Sequence, residues 1–140
     1  MENHQLPSYK KARDLVKQLS ESTQKVPRTV KYTTVAEMIN SALDIMVDIA
    51  DANEENFGTR EEFLKSALKK LSRIRIQVRC LYDLRYITKK GLNSISGYEG
   101  NLESQLKGWL ANPYGDESTT GKRKVMTARA STVLRKVVTD

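Results

Sequence analysis

Along the first 111 positions, apolar residues recur at steps of three and four, and polar or proline-marked gaps divide them into four runs. Pro7 stands where helices commonly begin, and Tyr9, Ala12, Leu15, Val16, Leu19 and Val26 follow at helical spacing until Pro27 stops the pattern. This predicts a first helix over 7–25. Thr34 with Glu37 three residues on has the form of a capping box. Behind it Val35, Met38, Ile39, Ala42, Leu43, Ile45, Met46, Ile49 and Ala50 make an apolar stripe, a second helix from Thr34 to about Asn53. A second box, Thr59 with Glu62, follows Gly58 and opens the longest run, from Leu64 through Leu71, Ile74 and Val78 to Tyr82. Gly91 and Gly97 weaken the pattern near the next boundary, but Ile95, Tyr98, Leu102, Leu106, Trp109 and Leu110 keep helical spacing until Asn112-Pro113 and predict a fourth helix over 94–111.

Four amphipathic helices with short connections and no alternating strand pattern predict an all-α fold, most simply an antiparallel four-helix bundle. Length agrees, since 140 residues suit one domain. The expected division is a bundle over 1–112, then a polar linker and basic C-terminal extension over 113–140, whose Met126, Ala130, Val133, Leu134 and Val137 keep helical steps with a strand as the alternative. No apolar run reaches the roughly 18 to 20 residues of a membrane span, and Met-Glu-Asn-His-Gln lacks the order of a signal peptide, so a cytoplasmic protein is expected.

Charge changes the picture from fold to partner. The chain has 24 Lys+Arg against 17 Asp+Glu, a formal +7, which suits a partner bearing phosphates. The charge is unevenly spread. Residues 34–55 contain no Lys or Arg, and Glu37, Asp44, Asp48, Asp51 and Glu55 are expected on the back of the second helix. Between 60 and 90, ten cations face three acids, a net +7. Here Lys65, Lys69 and Arg73 form an outward row, Arg75 and Arg85 project towards the apolar side and call for buried pairing, and Arg79 has Asp83 one turn on. Lys89 and Lys90 close the segment, and Lys122, Arg123 and Lys124 form a further cluster in the tail. Two readings stay open: the acidic and basic helices pair with each other within or between subunits, or the basic face is free to meet nucleic-acid phosphates.

Chemistry finds little support. A metal or nucleophile site needs clustered His, Cys or carboxylates, yet the chain has one His, His4, and one Cys, Cys80. Cys80 is expected as a small packing residue and Trp109 as a plug at the end of the bundle. No zinc-finger, RRM, KH or basic-zipper spacing occurs, so nucleic-acid binding would rest on phosphate contacts and shape. The expectation is a protein without catalytic residues, cofactor or metal.

Leu6-Pro7-Ser8-Tyr9-Lys10, Val26-Pro27-Arg28 and Lys31-Tyr32-Thr33 precede the acidic helix. Phe63 to Leu68, Ile74-Arg75, Val78-Arg79, Asp83-Leu84-Arg85 and Leu106-Lys107-Gly108-Trp109-Leu110 follow it. Together, over about 6–111, they resemble the accessory variability determinant proteins of diversity-generating retroelements, relatives of proteins encoded by intervening sequences of 23S rRNA genes. The resemblance implies a homopentameric barrel of bundles that binds an error-prone reverse transcriptase, its template-repeat RNA and cDNA during mutagenic retrohoming. Its matching basic positions are Arg75, Arg79 and Arg85, with Lys89 and Lys90. The tail after Pro113 is longer than the family leads one to expect. An alternative is a structural oligomeric bundle of the intervening-sequence type with no polymerase partner.

Overall fold

The computed structural model describes residues 2–54 and 58–114. Among them there are four principal helices and no strand: α1 (Pro7–Ser22), α2 (Ala36–Glu54), α3 (Arg60–Asp83) and α4 (Lys89–Ala111). The stripes read from sequence become the core. Ala12, Leu15 and Leu19 from α1 meet Met38, Ala42, Ile45 and Ile49 from α2; Leu64, Leu71, Ile74 and Val78 from α3 and Ile95, Leu102 and Leu106 from α4 complete one cluster. Each helix contributes a buried residue at every third or fourth position, the geometry of helices packed along their length. The α2–α3 contacts run antiparallel: Asp48, late in α2, meets Lys70, early in α3, whereas Glu37 meets Arg73 and Gln77 further on.

The entrance to α2 differs from the sequence reading. No capping box forms at Thr34. Helical structure begins just after Pro27, as a turn over Arg28–Val30 that passes into a π-helical segment, Lys31–Val35, and then into α2. Glu37 turns away from Thr34 and bonds to α3. The wider turn shifts the register. Counting back from buried Ala42, Met38 and Val35, an α-helix would next bring residue 31 or 32 to the core; the π turn brings Val30 there instead and leaves Tyr32 67% exposed. Thr33 steadies the turn by donating its hydroxyl to the Thr29 carbonyl at 2.7 Å.

The other boundaries follow local chemistry. α1 ends at Ser22, where the buried Thr23 hydroxyl donates to the Leu19 carbonyl at 2.7 Å. Thr59 is the residue before α3, but its side chain makes no capping hydrogen bond. α4 starts at Lys89, five residues earlier than expected, because Thr88 Oγ1 accepts the Gly91 amide at 3.0 Å. Gly91 packs close to the end of α1: a Cβ there would come within 3.3 Å of the Ser22 Cβ, a tight contact that the Ser22 side chain would have to yield to. α3 ends in a Schellman motif, with the Arg85 amide bonded to Tyr82 O and the Tyr86 amide to Leu81 O at 2.9 and 2.8 Å. Arg85 therefore stands at φ 66°, a position that favours glycine. It lies exposed in the turn after α3, which corrects the expectation of a buried, paired arginine.

One core position on α4 is polar. Between Ile95 and Leu102 stands Glu99, 2% exposed, with its Oε2 bonded to nothing among the described residues. The nearby guanidinium of Arg75 is bonded at 2.9 Å to Glu103. Burial pushes the Glu99 carboxyl up to about 7, an effect that Arg75 opposes and the charge of Glu103 reinforces.

Two stability predictions follow from these positions. Because the folded-state value lies above the unfolded one, Glu99 lowers stability as pH rises from about 4.5 towards 7 and holds it low above that. Glu99→Gln should therefore add about 2 to 3 kcal/mol more at pH 8 than at pH 5 in urea denaturation, and equal gains at both would refute the assignment. Arg85→Gly should raise stability by about 0.5 to 1 kcal/mol, relief of the left-handed strain outweighing the added freedom of the unfolded chain; an unchanged or lower urea midpoint would contradict it.

Candidate nucleic-acid interface

Helix α3 carries most of the cations picked out from sequence, and packing sorts them. Lys65, Lys69 and Arg73 do share its exposed face. Of these, Lys65 and Lys69 have no ion-pair or hydrogen-bond partner among the described residues, whereas Arg73 reaches across to Glu37 at 3.1 Å. Arg75 is paired with Glu103 at 2.9 Å as expected, but at the surface: its side chain keeps 45% exposure. Arg79 bonds to Asp83 at 3.2 Å and lies 5.6 Å over the Tyr82 ring. Pairs this exposed contribute little, about 0.2 to 1 kcal/mol each, and leave the cations within reach of a competing phosphate.

At the far end of α3, Arg85, Lys89 and Lys90 are all exposed around the turn into α4, without partners among the described residues. With a rise of about 1.5 Å per residue, Lys69 lies roughly 21 Å along the helix from Asp83, where that turn begins. The free cations thus form two groups with paired arginines between them. Lys122, Arg123 and Lys124 lie outside the described residues, as do Glu55 and the linker and tail expected over 115–140.

The acidic helix supplies several of the partners. Asp48, expected on its back, is buried against α3, where Lys70 donates to Oδ2 at 2.7 Å. The pairing of acidic with basic helix is thus made within one chain. Lys107 and Arg75 hold the Glu103 carboxyl below its ordinary value. Arg60, the first residue of α3, is spent on structure: it is 7% exposed, its Nε donates to Ala52 O at 2.6 Å at the end of α2, and its guanidinium lies 5.7 Å over the Trp109 ring. Trp109 is partly buried against the core. Cys80 is exposed, correcting the expectation that it packs inside, because α3 turns its Ile74, Val78 and Leu81 edge inward instead.

A second basic run was not singled out from the sequence. Residues 7–31 hold Lys10, Lys11, Arg13, Lys17, Lys25, Arg28 and Lys31 against Asp14 and Glu21. Lys10, Arg13 and Lys17 lie exposed on one side of α1, and Lys25 and Arg28 are exposed at the corner leading to α2. A charge count would have found them. Leu43, Val47 and Ile76 are apolar yet 43%, 56% and 65% exposed on the outer surfaces of α2 and α3. Among the described residues, no group of three or more His, Cys, Asp or Glu is placed to hold a metal ion, and no helix is long and apolar enough to cross a membrane.

Comparison with known proteins agrees with this helical framework. No curated protein matches the chain. Residues 4–108, from the segment before α1 almost to the end of α4, match the family described as 23S rRNA-intervening sequence protein. On that match, which spans all four helices, the chain belongs to the 23S rRNA-intervening sequence protein family.

Proposed function

We propose that this chain is a non-catalytic nucleic-acid-binding bundle, and that it serves the reverse transcriptase of a diversity-generating retroelement by holding template-repeat RNA and cDNA. The observation that carries the binding part is the charge left over after internal pairing: Lys65 and Lys69 on α3, and Arg85, Lys89 and Lys90 at its end, all exposed and without partners among the described residues. Such cations recognise phosphate spacing and leave base identity unread. The surface arginines Arg73, Arg75 and Arg79 would exchange a carboxylate for a phosphate at small cost. The polymerase part is supported by the resemblance of the segments around Arg75, Arg79 and Arg85 to accessory variability determinants.

Assembly into a homo-oligomer, a pentamer by the same resemblance, belongs to this proposal. Exposed Leu43, Val47 and Ile76 suit contacts between copies. Five copies would multiply the +7 of the chain to +35. The second reading, a structural bundle of the intervening-sequence type with no polymerase partner, draws support from the Asp48–Lys70 and Glu37–Arg73 pairs, which consume basic charge inside the chain.

Salt titration of binding to a labelled RNA separates the two. The nucleic-acid reading expects log K to fall linearly with log salt, and Lys65→Glu with Lys69→Glu to reduce the slope by about 1 to 2, as two phosphate contacts are lost. A wild-type protein that fails to bind RNA at low salt would leave only the structural reading. For the polymerase, the expected outcome is co-purification of the neighbouring reverse transcriptase with the wild-type chain, beside a template and variable repeat pair in the same locus; absence of both would refute the retroelement role.

A further inference from the structure

At the corner between α1 and α2, the π-helical turn does something a regular helix would not: it takes Tyr32 off the core face and sets it 67% exposed. Segments with one wide turn often mark functional positions, because the extra residue re-aims a side chain. The ring has company. The Arg28 guanidinium lies 5.5 Å from its centroid, and Lys31 reaches back to the Gln24 carbonyl at 3.0 Å, beside exposed Lys25. From residue 22 to 36 there are three cations and no acid.

We propose that Tyr32, with Arg28 stacked on it, is a platform for an unpaired base of a single-stranded nucleic acid, while Lys25 and Lys31 meet the adjoining phosphates. An exposed aromatic ring offers a face that any base can stack on, a guanidinium plane extends that face, and nearby ammonium groups follow the backbone. A duplex keeps its bases stacked inside and cannot use the ring, so the platform gives the bundle a preference for single strands that the cations of α3 alone would not. This deepens the nucleic-acid reading above and rests on it.

The test compares wild type, Tyr32→Ala, Tyr32→Phe and the Lys65→Glu, Lys69→Glu variant by fluorescence anisotropy. The probes are a labelled 20-nucleotide oligouridine and an RNA duplex of equal length. Tyr32→Ala should weaken single-strand binding about 5- to 100-fold, leave duplex binding within about twofold and leave the salt slope unchanged, since no charge is removed. Tyr32→Phe should keep wild-type affinity. If Tyr32→Ala weakens both ligands alike or neither, the platform is wrong; should the lysine variant still lose affinity, the nucleic-acid reading survives it. Wild type that binds neither ligand at low salt overturns both. A Tyr32→Ala protein with unaltered single-strand affinity and a changed oligomeric state on size-exclusion chromatography overturns the platform and assigns Tyr32 to a contact between copies.

Discussion

The seam between α2 and α3 sets the terms for everything else in the molecule. A helix with the cation density of α3 can be buried along one side only if that side is apolar or its charges are answered. Leu64, Leu71, Ile74 and Val78 meet the first requirement and Asp48 the second, accepting from Lys70 at the edge of the core. Breaking such a half-buried pair would strand one charge near the interior. Glu37 repeats the arrangement nearer the surface, with Arg73 and Gln77. What remains for other partners is the part of α3 that faces away from α2, and that remainder defines the candidate interface.

The ends of the helices are settled by single side chains spent on backbone groups. Arg60 takes up the last carbonyls of α2 while packing on Trp109, tying the start of α3 to the end of α4. Arg85 accepts a left-handed conformation to close α3. An arginine counted from sequence as surface charge can thus be spent as a cap, as Arg60 is, whereas Arg85 closes the turn through its backbone and keeps its side chain exposed. Glu99 shows the converse, an acid at a core position beside an arginine that is bonded to Glu103, so that burial holds its carboxyl up at about 7 and ionising it lowers stability.

Much of the bundle was legible in the chain because helical periodicity is a property of local geometry: a stripe at steps of three and four has one way to be buried. The apolar positions of α1, α2 and α3 became core almost as read. Boundaries were less legible. Thr34 and Glu37 have capping-box spacing, yet the turn begun after Pro27 continues through them, and Glu37 finds better partners on α3 than a local amide. Gly91 looks like a helix breaker but stands inside α4, its amide held by the Thr88 cap and its bare Cα close to the Ser22 side chain.

By itself the sequence determined an all-α framework of four helices, the segregation of acid onto the second and base onto the third, and the lack of clustered His and Cys; each depends only on residue type and spacing. Tertiary structure decided which charges are spent and which are free. Lys65 and Lys69 are cations of the same helix as Lys70 and Arg73, but among the described residues the facing helix offers a carboxylate to the latter two alone. It also decided that Tyr32 is outside, because a single wide turn displaces the register by one residue, and only packing against the core reveals which of Val30 and Tyr32 lies on which side.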